Sequence, residues 1–167
     1  MKRLLTIAAI AALLIGCTAQ QPAPVVEDNT PGFVLSDENV EVKIGEDGAL
    51  LSLINKETGH NYASGEGLWR MFYNTHEEKE MQIDGTENTP EVSQEGDVII
   101  ITYKDLVHRG KALKMGLTLT VKVEDGAVRF GSEVSNNEPG TIIRELQYPL
   151  VGNMNLPEGN KLLTTHT

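Results

Sequence analysis

The 167-residue sequence contains a single cysteine, Cys17, which lies close to the N-terminus. One cysteine cannot form a disulfide within the chain, and it cannot build a metal site from several thiolates. The folded domain is therefore expected to depend on an apolar core for its stability, and the chain is long enough to form one.

The sequence is also short of positive charge and of aromatic residues. Only 14 Lys and Arg residues stand against 24 Asp and Glu residues, the formal net charge is −10, and aromatic residues make up 5% of the chain. Nucleic acid is excluded as an expected partner, because phosphate backbones are bound through clustered Lys and Arg. The scarcity of aromatic residues argues against a broad sugar-stacking platform, but neutral ligands such as carbohydrates remain compatible with the composition.

No apolar run is long enough to cross a bilayer, which takes about 20 apolar residues in a helix. The longest run, Leu4 to Ile15, follows Lys2 and Arg3 and precedes the small residue Gly16. A positively charged start, a short apolar run and a small residue are typical of a secretory signal peptide. Residues 1–16 are therefore assigned to a signal peptide, and the loss of its two positive charges changes the formal net charge from −10 to −12.

The end of this segment resembles the lipobox of bacterial lipoproteins, a Leu-aliphatic-small-Cys pattern that reads Leu14-Ile15-Gly16-Cys17 in this chain. The resemblance implies that the Cys17 thiol receives a diacylglycerol and that the signal is cut before Cys17. The new N-terminus would then be acylated, and more than one acyl chain makes such anchoring stable. The alternative is an unmodified cysteine at the end of a plain secretory signal.

Residues 17–32 are predicted to form a lipidated tether. The segment TAQQPAPVVEDNTP, from Thr18 to Pro31, shows no apolar period, and its prolines favour an extended chain. No Asp directly follows Cys17, a position where Asp retains some bacterial lipoproteins at the inner membrane. We therefore expect a protein of the cell envelope, anchored through lipid at the outer membrane if the cell is Gram-negative, and facing either the periplasm or the surface.

From Phe33 onward the apolar residues recur with a period of two, which predicts an antiparallel all-β sandwich over residues 33–167. The longest alternation runs from Leu113 to Val123, with apolar residues on one face and Lys, Gly and Thr on the other. Glycine-containing turns at Gly45–Gly48 and Glu124–Gly126 predict hairpins. Val128, Phe130 and Val134 are expected to face inward from the return strand. The predicted strands include 40–44, 49–54, 97–103, 113–123, 127–135 and 141–150.

The aromatic segment LWRMFYN, residues 68–74, supplies candidate carbohydrate-binding residues. If the segment is a strand, alternation places Trp69, Met71 and Tyr73 on one face and Arg70, Phe72 and Asn74 on the other. Trp69 and Tyr73 could stack on a sugar ring. The alternative is that they fill the sandwich core, since large aromatic residues are highly buried on average.

His108 is the third candidate carbohydrate-binding residue, because a loop histidine can act as an acid or base near neutral pH. Glu145 could be a partner carboxylate, although nothing in the sequence brings the two together. The acidic segment from His76 to Glu80 could bind a structural calcium ion or form a solvated loop. No nucleophile motif, glycine-rich phosphate loop or zinc signature is present. The sequence thus predicts no catalytic residue and no cofactor apart from this calcium alternative.

Three stretches carry a resemblance to a known family: DGALLSLINKETGHNY (47–62), LKMGLTLTVKVEDGAVRFGSEVSNN (113–137) and IIRELQYPLVG (142–152). In this order they resemble the galactose mutarotase-like β-supersandwich found at the N-terminus of large bacterial glycoside hydrolases. The resemblance implies a supersandwich that is incomplete at its C-terminus, and catalytic carboxylates in a barrel domain that would follow Thr167. True mutarotases use a histidine and a glutamate, but their motifs do not match here, so no catalytic residue is carried over.

The leading hypothesis is a non-catalytic N-terminal β-sandwich region of a lipid-anchored carbohydrate-active enzyme, a glycoside hydrolase, that supports carbohydrate binding or hydrolysis. The first alternative is a stand-alone glycan-binding envelope lipoprotein. The second is a mutarotase-like epimerase, which requires an exposed His/Glu pair in a cleft. The third is a purely structural envelope protein. If the chain is partial, its isolated form is expected to be marginally stable or to self-associate.

Overall fold

The computed structural model of the chain describes residues 30–63 and 67–152, and these residues form a β-sandwich. The predicted signal peptide and Cys17 lie outside the described residues, as does most of the predicted tether. The predicted all-β fold is confirmed: the only helical element in the described residues is one 3₁₀ turn, Gly85–Glu87. The strands are β1 (Gly32–Ser36), β2 (Val40–Gly45), β3 (Leu50–Asn55), β4 (His60–Asn61), β5 (Arg70–Asn74), β6 (Met81–Asp84), β7 (Glu91–Glu95), β8 (Val98–Tyr103), β9 (Val107–His108), β10 (Lys111–Ala112), β11 (Met115–Glu124), β12 (Ala127–Asn136) and β13 (Ile142–Gln147).

The strands form three larger sheets and one short hairpin, and every pairing is antiparallel. The strand orders are β1-β2-β3-β4, β12-β11-β8-β7 and β13-β5-β6, and β9 pairs with β10. Most neighbours are consecutive in the chain, as in a meander of hairpins. The exceptions, β8 with β11 and β5 with β13, join distant parts of the chain, and β5–β13 forms the wall of the candidate sites described below.

One apolar core draws on all three larger sheets. In β11 the side chains alternate between buried and half-buried until Val123, as the sequence pattern predicts. The strands bury one face each against the others, which removes apolar area from water. Each Å² of buried apolar area stabilises the fold by roughly 25 cal/mol, and this is the main favourable term in folding. The large side chains at the centre of this core are Ile44, Leu68, Trp69, Met71, Tyr73, Ile83, Ile99, Ile101, Leu106, Met115, Leu117 and Leu119.

The return strand β12 is less buried than its sequence predicts. Val128 and Phe130 are half-buried and pack against the core, but Val134 is 38% exposed. Val134 lies opposite the buried Leu117 in the β11–β12 register, so it is on the core side of its sheet. Val134 thus faces inward as expected, but it stays exposed because β12 is an edge strand and none of the described residues covers this end of its inner face.

Two tight turns with positive φ fix the local registers. Asp125 and Gly126 have φ values of 54° and 75° and connect β11 to β12. Arg109 and Gly110 have φ values of 50° and 77° and connect β9 to β10. Positive φ at both central residues is the signature of a type I′ turn, whose twist matches that of the strands it connects. The first turn was predicted from its Asp-Gly sequence, and the second sets the position of His108.

The last strand, β13, is shorter than predicted, since it ends at Gln147 and not at Leu150. The next peptide bond, Tyr148–Pro149, is cis, and Pro149 has no N–H to continue the ladder. The Tyr148 hydroxyl donates a hydrogen bond of 2.9 Å to the Thr120 carbonyl, and its ring meets Phe130 edge to face at 5.6 Å. These contacts hold the end of β13 against β11 and β12.

Candidate functional site

Trp69 lies in the core and not on a sugar-binding surface. Its relative exposure is 0%, and its ring meets Tyr103 edge to face with 5.1 Å between the ring centroids. Gly85 lies so close that a Cβ there would be 2.8 Å from the indole Nε1. A ring enclosed on all sides has no free face for a sugar, so the stacking role considered for Trp69 is corrected to core packing.

Tyr73 is also a core residue, with a relative exposure of 2%. It shares a buried face with Trp69 and Met71, as the alternation predicts, whereas Arg70, Phe72 and Asn74 are half-buried on the other face of β5. Burial raises the pKa of the Tyr73 hydroxyl, and the nearby positive charge of Arg109 partly opposes that rise. The ring of Tyr73 cannot serve as an open stacking platform, but one edge of this side chain borders a cleft.

The structure brings His108 into contact with Tyr73. The two rings meet edge to face, with 5.7 Å between centroids and planes inclined by 88°. His108 was predicted on a loop, but it ends β9 and pairs with Lys111 across the type I′ turn, so the backbone fixes its position. Both imidazole nitrogens are buried, and neither has a hydrogen-bond partner among the described residues. Buried polar groups nearly always have such partners, so these two nitrogens require an explanation.

A cleft of about 430 Å³ opens beside these rings, and we call it the His108 cleft. Its walls come from β5, β6, the β9–β10 hairpin and the β12–β13 turn, and they combine apolar, hydroxyl and charged side chains. The lining residues are Tyr73, Thr75, His76, Glu77, Met81, His108, Arg109, Lys111, Leu113, Glu138, Pro139, Gly140 and Thr141.

Several charges of the His108 cleft are already paired. Glu138 accepts a hydrogen bond of 2.8 Å from the Lys114 backbone N–H and lies 3.6 Å from the Lys111 ammonium. The backbone hydrogen bond, with the charge of Lys111, lowers the pKa of the Glu138 carboxyl. Arg109 pairs with Glu78 at 3.1 Å. The cleft therefore presents the ionised carboxylate of Glu138 beside hydrogen-bond donors.

Glu145 is not a partner of His108. Glu145 lies opposite Phe72 in the β5–β13 register, and successive residues of β5 point to opposite faces of the sheet. Tyr73, which touches His108, therefore faces away from Glu145. The carboxylates that share a cleft with His108 are Glu77 and Glu138. Sequence spacing does not predict that these carboxylates lie near His108. Glu138, for example, approaches the cleft only because β13 pairs with β5.

The acidic segment His76–Glu80 forms an exposed connection between β5 and β6. Glu78 is ion-paired with Arg109, and the Thr75 hydroxyl oxygen accepts hydrogen bonds from the N–H groups of Glu77 and Glu78. Within the described ranges, no group of three or more His, Cys, Asp or Glu side chains converges as a metal site would require. The structural calcium ion stays a prediction that no such side-chain cluster in the described part of the chain supports.

A second cleft, of about 630 Å³, lies on the outer face of β5 around the half-buried ring of Phe72, and we call it the Phe72 cleft. From the sequence, Phe72 could be placed only on the opposite face of the strand from Trp69. The alternation in LWRMFYN was the signal that could have found it, once Trp69 and Tyr73 are assigned to the core. The lining residues are Phe72, Asn74, Lys79, Glu80, Arg144, Glu145 and Gln147.

Comparisons with family models, with curated proteins and with solved structures found no match to this chain. In the part of the chain that the structure describes, no helix is long and apolar enough to span a membrane. The functional interpretation therefore rests on the sequence patterns and on the geometry of the two clefts.

Proposed function

We propose that the chain is a non-catalytic β-sandwich region of a lipid-anchored, carbohydrate-active protein of the cell envelope, and that it contacts glycan in the His108 cleft. The observation that carries the proposal is the pair of buried imidazole nitrogens of His108, which lack partners at the edge of a 430 Å³ cleft. The resemblance of three sequence stretches to the supersandwich of glycoside hydrolases supports a carbohydrate over other small ligands.

Sugar hydroxyls suit this cleft because each one both donates and accepts a hydrogen bond. A neutral imidazole offers one donor and one acceptor. Both ring nitrogens of His108 are shielded from solvent in this structure, so a sugar hydroxyl would reach them only if the ring turns toward the cleft. Glu77 supplies acceptor oxygens, and Lys111 supplies donors. Met81 and Leu113 give an apolar wall against which the C–H face of a pyranose can pack. Specific binding sites commonly combine such an apolar lining with a few polar groups.

A second candidate function is a mutarotase-like epimerase, because His76 and His108 line one cleft with Glu77 and Glu138. An acid and a base must flank the anomeric carbon and the ring oxygen for this chemistry. Glu138 is engaged by Lys111 and by a backbone N–H, so Glu77 is the carboxylate left for such a role. An anomerisation assay on freshly dissolved α-glucose and α-galactose, followed by polarimetry, tests it against the proposed binding function.

The test of the proposed function is binding of the full-length chain to a panel of neutral oligosaccharides, measured by calorimetry and by NMR titration. We expect a His108→Phe variant, which keeps an aromatic ring beside Tyr73, to bind at least about tenfold more weakly because it has no ring nitrogen. The matched control is His60→Phe, since His60 also meets a tyrosine edge to face, at 4.5 Å from Tyr62, but does not line the cleft.

Two results would overturn the glycan-binding proposal. The first is that no oligosaccharide in the panel binds at millimolar concentration, and the second is that His108→Phe and His60→Phe bind equally well. Chemical shift changes confined to residues that line the His108 cleft would support it. The hypothesis of a stand-alone lipoprotein and that of a region of a larger enzyme predict the same binding result. The mass of the native lipoprotein distinguishes the two hypotheses.

A further inference from the structure

Positive charge is scarce in this protein, and most of it is already neutralised in the described residues. An acidic chain offers many partners to each cation, so a cation without one is the exception. The ion pairs include Arg70–Asp84 at 2.7 Å, Lys104–Glu91 at 2.7 Å, Arg109–Glu78 at 3.1 Å, Lys111–Glu138 at 3.6 Å, Lys122–Glu124 at 3.3 Å and Arg129–Glu124 at 3.0 Å.

Lys79 and Arg144 depart from this pattern, since neither forms an ion pair or a side-chain hydrogen bond with the described residues. Lys114 also has no ion pair, but its charge helps to lower the pKa of the Glu138 carboxyl after the backbone hydrogen bond and Lys111. Lys79 and Arg144 come from distant parts of the sequence and nevertheless line the same two clefts.

The first of these is a cleft of about 400 Å³ that we call the cation cleft. Besides Lys79 and Arg144 it is lined by a third basic side chain, His76, and no Asp or Glu lines it. The full set is Asn74, Thr75, His76, Lys79, Gly140, Thr141, Ile142 and Arg144. Like charges in one cleft repel one another. A bound anion offsets this repulsion because it attracts each of the cations.

Arg144 reaches this position because the β13 strand contains a bulge. Ile143 pairs with Tyr73 and Glu145 pairs with Phe72, so Arg144 is the extra residue between two consecutive residues of β5. A bulge redirects the side chain of the extra residue and is over-represented next to functional sites. The bulge thus adds a guanidinium, whose planar fork of N–H donors matches the oxygens of a carboxylate or a sulfate.

Asn74 adds neutral donors to the two cations. Its Oδ1 accepts a hydrogen bond of 2.8 Å from the Glu80 N–H, which leaves the two N–H groups of the amide without an acceptor among the described residues. Thr141, which also lines the cation cleft, carries a hydroxyl. The donor set of the cation cleft is therefore suited to an oxyanion with two or three oxygens.

The neighbouring Phe72 cleft shares Asn74, Lys79 and Arg144 with the cation cleft, so the two form one continuous surface. The Phe72 cleft also contains Glu80 and Glu145, and Gln147 donates a hydrogen bond of 2.8 Å to Glu145. Acceptor oxygens, an amide and a half-buried aromatic ring are the groups that contact sugar hydroxyls and C–H faces. The anion-binding groups and the sugar-binding groups lie side by side.

We propose that this continuous surface binds an acidic glycan, with the carboxylate of a uronic acid or a sulfate ester in the cation cleft and the sugar ring against Phe72. The glycan part rests on the proposed function, whereas the oxyanion part rests on the donor groups of the cation cleft and on the β13 bulge. The Phe72 cleft lies on the opposite face of β5 from Tyr73. The cation cleft shares Thr75, His76, Gly140 and Thr141 with the His108 cleft, so the proposed surface adjoins the site of the proposed function.

The experiment is a calorimetric titration of the full-length chain at low salt with four probes: a uronic acid trisaccharide, a sulfated trisaccharide, their uncharged analogue and inorganic sulfate. We expect the acidic glycans to bind at least about tenfold more tightly than the uncharged analogue and than inorganic sulfate. Raising the salt to about 0.3 M should weaken their binding, because an exposed ion pair is screened. The two acidic probes distinguish a carboxylate from a sulfate ester.

Variants of the two cations locate the site. Arg144→Gln and Lys79→Gln should each weaken acidic glycan binding about tenfold, the effect of losing one charge-assisted hydrogen bond. The charge-matched control is Lys104→Gln, since Lys104 is an exposed lysine paired with Glu91 in another sheet. Backbone NMR spectra of all variants show whether the fold is retained, and a Lys79→Arg variant, which keeps the charge, should restore binding.

Three outcomes would overturn the acidic glycan proposal. They are equal affinity for acidic and uncharged glycans, equal binding by Arg144→Gln and wild type, and inorganic sulfate binding as tightly as the acidic trisaccharides. His108→Phe separates this proposal from the proposed function. If neutral glycans bind to wild type but not to His108→Phe, and acidic glycans bind no more tightly than neutral ones, only the cation cleft proposal fails. If acidic glycans bind through Arg144 and His108→Phe changes no affinity, only the His108 assignment fails.

Discussion

The carboxylate of Asp37 accepts a hydrogen bond of 3.0 Å from the backbone N–H of Gly126, 89 residues further along the chain. Its other oxygen accepts hydrogen bonds of 2.8 and 2.9 Å from the N–H groups of Asn39 and Val40. One side chain therefore closes the β1–β2 turn and ties it to the β11–β12 turn. The N–H groups of Val40 and Asn39 lower the pKa of the Asp37 carboxyl most, and Gly126 adds to them.

Replacement of Asp37 by Asn should lower the midpoint of thermal unfolding at neutral pH, because an amide cannot accept all three hydrogen bonds as a carboxylate does. The folded pKa lies below the ordinary value of 3.8, so this stabilisation is present above pH 3.8 and is lost as the pH falls through the folded pKa. The difference in midpoint between wild type and variant should therefore shrink in strong acid. Glu38→Gln, a neighbouring change without these contacts, is the control, and a pH-independent difference would contradict the argument.

Trp69 should report on the core and not on a ligand. It is the only tryptophan in the chain and is fully buried, so its fluorescence should be blue-shifted and weakly quenched by acrylamide. Saturating glycan should leave the emission unchanged, because neither cleft is lined by Trp69. A Trp69→Ala variant should lose roughly 3–5 kcal/mol of stability through the cavity it leaves. Emission like that of indole in water would show that the core assignment is wrong.

The buried phenols predict a loss of stability in alkali. Burial raises the pKa of Tyr73, Tyr103 and Tyr148 above the ordinary value of 10.0. A raised folded pKa gives a contribution that is complete below pH 10.0 and is lost as the pH rises through the folded value, since the unfolded phenols ionise first. Urea unfolding followed at neutral pH and above pH 10 should show a falling free energy of unfolding, with phenolate absorbance appearing only as the protein unfolds.

Tyr148→Phe separates the hydroxyl of one tyrosine from its ring. The variant keeps the edge-to-face contact with Phe130 and loses the hydrogen bond to the Thr120 carbonyl, so it should be less stable by about 1 kcal/mol at neutral pH. Its stability should also fall less steeply in alkali than that of wild type, because one buried phenol is gone. An unchanged alkaline slope would mean that Tyr148 is accessible in the folded protein.

The lipobox resemblance predicts that Cys17→Ser moves the protein from the membrane fraction to the soluble fraction of its host envelope. The signal of the Cys17→Ser variant is removed only if a general signal peptidase accepts the site. Mass measurement must therefore distinguish the unprocessed variant from the processed one. The wild-type mass should include a diacylglycerol and an acyl chain on Cys17. If the variant associates with the membrane to the same extent as wild type, anchoring through Cys17 is ruled out.

The sequence was sufficient for seven of the described strands, β2, β3, β5, β8, β11, β12 and β13, because their side chains alternate between the core and the exterior. It did not predict β4, β6, β7, β9 or β10. β11 could be recognised from its own eleven-residue pattern, and the β11–β12 turn from its Asp-Gly step. Alternation could also say that Trp69, Met71 and Tyr73 share a face. It could not say whether that face or the face of Phe72 is buried, because aromatic residues occur on both and the decision belongs to the packing of the whole sandwich.

The sites were harder to predict because each one joins segments that are distant in sequence. His108 was chosen from its loop position, but its contact with Tyr73 depends on how the β9–β10 hairpin packs on β5. Lys79 and Arg144 meet only because β13 pairs with β5, and the bulge that exposes Arg144 has no glycine or proline to signal it. Local patterns carry no information on such pairings.

The β11–β12 pairing and the β5–β13 pairing are expected to form at different stages of folding. Ten residue pairs join β11 to β12 across a two-residue turn, so this hairpin closes with little loss of chain entropy and can form early. The β5–β13 contact must wait until the intervening chain is in place. The clefts along β5 and β13 are therefore expected to assemble late. A ligand bound there should protect the amides of β13 from hydrogen exchange by local opening and leave those of the β11–β12 hairpin unchanged.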